Sequence, residues 1–249
     1  KWYALEMWRE LQNAILQLRF NYEEVGVVSI TTRGNAENII RLDSALLSRK
    51  DHWFIREVLL LQARVLKMID VTAKSFFSFI MPQSCFSGSL FEIALASDRI
   101  YMQNVTDNTI MLSSYNNSHV LMCHGLSRLE NRFYQDESHI KKVIEYINKS
   151  LSAETAYEIG LVPEIPDDID WDDEIRIVIE ERLSLSPDSL TGLEANLRFV
   201  GPETTESRIF GRLSAWQNWI FTRPNATGEH GALTSYGKTT KPHFQWSRT

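Results

Sequence analysis

Only two cysteines, Cys85 and Cys123, occur in 249 residues, too few for a disulfide framework. A basic block is missing as well. Lys and Arg number 26 against 32 Asp and Glu, giving a formal charge of −6, which argues against nucleic acid or an anionic membrane as the main partner. No apolar run reaches the ~18 residues that a bilayer span needs, and no signal-peptide pattern opens the chain. The six histidines are scattered without the short spacings of zinc ligands, so no metal site is expected. These absences predict a cytoplasmic protein, and 43% hydrophobic content suffices for a sizeable globular core.

What is present centres on Ser75 to Gln103, SFFSFIMPQSCFSGSLFEIALASDRIYMQ. Ser75 to Met81 is an apolar run of strand length, broken by Pro82. From Ser87 the period changes. Leu90, Phe91, Ile93, Ala94, Leu95 and Ala96 predict a helix of about three turns, with Ser87 as N-cap and Gly88 freeing the backbone at its start. A helix that begins in a small-residue turn after a buried strand directs backbone N–H groups at the crevice, where they can bind an oxyanion or carbonyl.

Strand, small-residue turn and Glu-Ile-Ala-Leu-Ala-Ser-Asp-Arg-Ile together resemble the signature of the crotonase (enoyl-CoA hydratase and isomerase) superfamily. That family carries a glycine trio in the turn and E-L-A-L-A-C-D in the helix. Here the trio falls on Gly88, Ser89 and Leu90, and only the first is glycine. The resemblance implies an α/β fold of the crotonase type, a spiral of βα units. It also implies oxyanion or thioester binding at Gly88 and Ser89, with the Ser89 amide as donor, and places a family acid/base position on Glu92. The second acid/base position lands near Leu112, which cannot titrate, so a paired-carboxylate mechanism is incomplete in this chain.

Several candidate residues keep two readings. Glu92 is either a titrating acid/base in a crevice or the partner of a nearby Arg or amide. Cys85, at the strand-to-helix turn, is either a nucleophile activated by a helix N-terminus or a small buried side chain. Cys123 and His124 are adjacent, yet sequence neighbours rarely face each other in a working dyad. The acidic run Asp167 to Asp173 is expected to cap the helix Glu174 to Leu183 rather than to bind a metal.

Around this centre, Trp2 to Arg19 has helical spacing and Val25 to Thr31 reads as a buried strand. The segment Gly34 to Asp43 takes the place of the family's first oxyanion loop. His52 to Asp70 is apolar almost all round and predicts a helix buried between layers. Arg99 to Met102 and Thr109 to Leu112 read as short strands, and Gly-Leu-Ser-Arg-Leu within HGLSRLENR resembles a family helix entry. In INKSLSAETAYEIGLVPE, Ser152 is the N-cap, Gly160 ends the helix, and Leu161 to Val162 is read as a strand.

The tail narrows the resemblance. SCFSG, WDDE, EANLRF, GPET, IFGRLSAWQNWIF and RPNA resemble a long member of the superfamily that acts on a benzoyl-CoA-derived thioester in aerobic benzoate degradation. What this implies is a ring-opening carbon–carbon lyase that converts a 2,3-epoxy or dihydrodiol benzoyl-CoA to 3,4-dehydroadipyl-CoA semialdehyde and formate. No cofactor is implied beyond the CoA of the substrate. A start at Lys1 without Met suits the C-terminal half of such an enzyme, with an intact crotonase motif in its N-terminal half. Residues 1–183 are then a degenerate second crotonase-like core, and 184–249 a helical C-terminal region and tail. The stripe Phe210, Leu213, Trp216, Trp219 and Ile220 suits a core or subunit-interface helix, with a homodimer expected. The alternative to a catalytic contribution is an inactive scaffold and dimerisation domain.

Overall fold

The computed structural model describes residues 2–117 and 119–247. Lys1 and Arg248–Thr249, the outer ends of the two predicted segments, lie outside them. Three parallel strands form the central sheet: β1 (Val27–Ile30), β2 (Ser75–Ile80) and β3 (Arg99–Met102), in the order β1-β2-β3. Ser29 stands opposite Phe77, and Ser78 opposite Ile100. All six residues of β2 are buried, which explains its unbroken apolar reading: a parallel strand covered on both faces has no polar side.

Helices supply the covers. On one face α1 (Tyr3–Phe20) and α3 (Trp53–Asp70) bring Trp8, Ile15, Val65 and Ile69 into one cluster with Phe76. On the other, Phe77, Phe79 and Tyr101 meet Trp171 and Val178 of α8 (Trp171–Ser184). Burying an aromatic or aliphatic side chain of this size contributes about 1.5–3 kcal/mol.

Between β1 and α3 lies α2 (Ala36–Leu47), so the segment read as a loop, Gly34 to Asp43, is mostly helix. Asn35 sets its start by accepting the Asn38 N–H at 3.0 Å. After β2 the turn tightens into a 3-10 turn at Gly88–Leu90 and a short α4 (Phe91–Leu95). The helix is therefore shorter than the predicted three turns. Asp98 ends it by accepting the Phe76 N–H, and its own N–H goes to Phe76 O, which commits the chain to β3. Ser87 occupies the N-cap position without a side-chain cap.

β4 (Thr109–Met111) then pairs antiparallel with β5 (Ser150–Ser152), with α5 (Arg128–Arg132) and α6 (Glu137–Ile144) between them. Ser152 caps α7 (Ala153–Glu158) as expected. Leu161 and Val162 are no strand: both N–H groups return to Ala156 O behind Gly160, and both side chains enter the core with Ile80, Phe91 and Leu112. In the acidic run, Asp167 accepts the N–H groups of Ile169 and Asp170, while Asp172, Asp173 and Glu174 lie in the first turn of α8.

The C-terminal region begins with α9 (Pro187–Arg198) and continues through a π-helical stretch (Ser207–Leu213) into α10 (Ser214–Phe221), α11 (Pro224–Thr227) and α12 (Ala232–Ser235). Arg198 ties α9 to the sheet, pairing with Asp98 at 2.8 Å and donating to the carbonyls of Thr72 and Lys74 at 2.5 and 2.7 Å. Gly192 leaves room for Trp216 and Ile220, while Phe210 is 75% exposed; the apolar stripe is thus divided between contact and surface.

Candidate active site

The turn after β2 places the candidate residues in one buried cluster, and its first member is a glycine for a steric reason. Gly88 has φ +49°, and a Cβ there would run into Asp43 Oδ2. Ser89 N–H, the implied oxyanion donor, donates to that same Asp43 oxygen at 2.8 Å. Ser113 Oγ donates to it at 3.0 Å. Asp43 comes from α2, on the stripe of Ile39, Asp43 and Leu46 that faces inward, and it is fully buried. The chain's own carboxylate thus occupies the place where an external oxyanion would accept from Ser89.

Burial pushes the Asp43 carboxyl up to about 6, against the lowering effect of its bonds from Ser89 and Ser113. Its second oxygen, Oδ1, has no hydrogen-bond partner among the described residues.

Glu92 lies one helical turn further on, also buried. Asn116 Nδ2 donates to its Oε1 at 2.9 Å and to Gly88 O at 3.0 Å, holding the turn and the glutamate together. Arg128 donates from Nη1 to Glu92 Oε2 at 3.4 Å and from Nη2 to Asp70 Oδ2 at 2.6 Å. Burial pushes Glu92 to about 7, with Arg128 and Asn116 pulling it down and Asp70 pushing it up. The sequence alternative of an Arg and amide partner describes these contacts. Arg128 sits in the Gly-Leu-Ser-Arg-Leu motif, in the first turn of α5 behind the Ser127 capping box.

Cys85 is buried, against Gly34, with its backbone held by Thr32 on both sides. Burial raises its thiol pKa, opposite to what an activated nucleophile needs. Leu112, near which the resemblance places the family's second acid/base position, is buried in the core next to Ser113. His124 meets Asn131 at 3.1 Å and the Phe199 ring edge-to-face, and Cys123 is exposed. Among the described residues no group of three or more His, Cys, Asp or Glu is placed to hold a metal ion, and no helix is long and apolar enough to cross a membrane.

Asp43, Ser113, Asn116 and Asp70 were not singled out from the sequence. The usable signal for Asp43 was an acid on the inward stripe of an amphipathic helix, hidden because the segment was aligned with a loop. Nothing near Asn116 or Asp70 distinguishes them locally.

Set beside solved structures, the chain has the crotonase, or enoyl-CoA hydratase, fold. An enoyl-CoA hydratase from Geobacillus kaustophilus HTA426 superposes with TM-score 0.71 over 97% of this chain and 88% of that one, at 17% identity. An enoyl-CoA hydratase/carnitine racemase from Magnetospirillum magneticum gives 0.70 over 97% and 86%, at 16% identity. In sequence, the chain is 50% identical over 250 residues to the benzoyl-CoA-dihydrodiol lyase of Aromatoleum evansii, the match taking in all of this chain and 45% of the relative. It therefore spans less than half the length of that relative. No protein-family model matches it.

Proposed function

We propose that this chain is the C-terminal half of a cytoplasmic lyase of the benzoyl-CoA-dihydrodiol lyase type, and that it serves there as crotonase-fold scaffold. The reaction is ring opening of a benzoyl-CoA-derived thioester with release of formate, the CoA entering as part of the substrate with no separate cofactor assigned. Identity of 50% along the whole chain supports the enzyme class. One observation carries the scaffold role: the Ser89 amide, the implied oxyanion donor, is already bonded to Asp43. An oxyanion hole accelerates acyl chemistry only when its donors are free to meet developing charge. Catalysis then belongs to the N-terminal half, with its own crotonase motif. Two copies associate as a homodimer through the apolar surface around Phe210.

The test is formate release by the full-length protein from the dihydrodiol or epoxide of benzoyl-CoA, with Glu92→Gln alongside. Wild-type turnover with Glu92→Gln within about twofold is expected. No turnover by the wild type rejects the lyase reading. A hundredfold loss in a folded Glu92→Gln protein rejects the scaffold role alone.

A further inference from the structure

At the opposite end of β2 from the Ser89 turn, a cavity of about 370 Å³ opens between α9, the start of β3 and α5. A cavity of this size suits a small molecule rather than a few waters. Its walls combine two chemistries. Apolar surface comes from Phe77, Leu95 and Met122 on the inside and from Leu193 and Leu197 of α9, which are 51% and 68% exposed. Charge comes from five arginines, Arg99, Arg128, Arg132, Arg182 and Arg198, against three carboxylates, Asp70, Asp98 and Glu194.

The pairing along this wall leaves Arg132 without a carboxylate among the described residues, while Arg128 is shared between Asp70 and Glu92. Arg128 is matched with Asp70, Arg198 with Asp98 and Arg182 with Glu194. Arg99 reaches Glu181 at the surface, at 3.9 Å. Arg132 has no carboxylate partner among the described residues. Its Nε donates to Gly160 O at 2.7 Å, which fixes the guanidinium plane while leaving both terminal nitrogens without a protein acceptor among those residues. The group is partly buried, and burial alone lowers its pKa. A half-buried guanidinium held by one bond, with its outer edge unmatched, presents the fork that carboxylates satisfy bidentately.

We propose that this cavity is a second binding site, for a small organic acid with an apolar body: the carboxylate on Arg132 and the body against Met122, Leu193 and Leu197. The site is separate from the Ser89 turn. Asp70 lines the cavity and Glu92 does not, and Arg128 stands between them, bonded to both. The proposal does not depend on the lyase reading.

Calorimetric titration of the full-length protein with sodium benzoate tests it, with sodium hexanoate and inorganic phosphate as parallel titrations. Saturable binding of benzoate or hexanoate is expected, weakened at least tenfold by Arg132→Gln and by Leu193→Glu. Leu193 is exposed, so its replacement leaves the core intact and puts a repelling charge at the mouth. Absence of carboxylate binding overturns the proposal, as does binding that both variants leave unchanged. Phosphate binding tighter than that of either carboxylate overturns the apolar-body assignment. Formate release by Arg132→Gln is expected to match wild type, so failure here and failure of the lyase reading give different results.

Discussion

Asp43 Oδ2 accepts the backbone N–H of Ser89 at 2.8 Å, across a sequence separation of 46 residues, and with Ser113 it fills the position an oxyanion would take. Buried carboxylates without a cation partner are rare because desolvation disfavours the charge. Here two hydrogen bonds to one oxygen offset part of that cost. The other oxygen has no partner among the described residues, so the site is better suited to the protonated acid than to the anion.

That difference has a pH signature. The folded Asp43 carboxyl titrates at about 6 against an ordinary 3.8, so the native state holds the proton more tightly than the unfolded chain. Its contribution is most favourable below pH ~4 and is lost as pH rises through 6, a change on the order of 3 kcal/mol. Glu92, raised to about 7 by burial, acts in the same direction. Urea midpoints of the wild type should therefore fall between pH 5 and pH 8. Asp43→Asn should flatten the fall and be at least as stable as wild type at pH 8. A wild-type midpoint that rises over this range, or equal slopes for the two proteins, contradicts the assignment.

Gly88 and Asp43 should be coupled. Alanine at φ +49° costs about 1–2 kcal/mol from the left-handed backbone alone, and overpacking against Asp43 Oδ2 adds about 1–3 kcal/mol. Removing the carboxylate first, in Asp43→Ala, makes space for the new methyl. A double-mutant cycle by denaturation should give a coupling of about 1–3 kcal/mol, with Gly88→Ala milder in the Asp43→Ala background. Strictly additive losses would mean that the two groups do not meet as described.

How much of this was legible beforehand depends on the range of the interaction. The β2 turn and Glu92 could be read because apolar periodicity and turn residues act over a few positions. The α2 helix was missed because resemblance placed a loop on Gly34 to Asp43, although Asn35 is a good N-cap and Ile39, Asp43 and Leu46 share a stripe. Leu161 and Val162 have β-branched and apolar character that suits a strand, but Gly160 folds them back onto Ala156. The Asp70–Arg128–Glu92 network joins residues 58 and 36 positions apart, and no local pattern encodes such a pairing.

Replacing Arg128 should expose that network's cost. Arg128→Met leaves Asp70 and Glu92 buried without their cation, and breaking a buried pair by removing one partner typically costs about 3–5 kcal/mol. Both carboxyls are raised by burial, and both lose a lowering influence when Arg128 goes. The penalty should accordingly be larger at pH 8 than at pH 5.5, where they take up protons. Chemical denaturation at the two pH values decides this. A loss below ~1 kcal/mol, or one independent of pH, would remove the network from the account of stability.

The last prediction concerns how the C-terminal helices stay on the core. Leu193 and Leu197 of α9 are largely exposed, so the apolar contact of this helix is limited and its polar anchors matter more. Arg198 supplies the largest set, a two-pronged pair with Asp98 and bonds to the carbonyls of Thr72 and Lys74 just before β2. Glu194 adds a bond from Ser75 Oγ, which also accepts from Arg182 Nε. Arg198→Ala leaves Asp98 with its Phe76 N–H bond but without its cation, and frees the Thr72 and Lys74 carbonyls. Limited digestion with chymotrypsin should then cut at the junction of α8 and α9, where Leu183 at the end of α8 and Leu185 between the helices are exposed, several-fold faster than in wild type. Arg198→Lys should fall between the two, since an ammonium keeps the charge but not the planar fork that serves Asp98 and the carbonyls together. Wild-type resistance in Arg198→Ala would show instead that Gly192, Trp216 and Ile220 hold this region by packing alone.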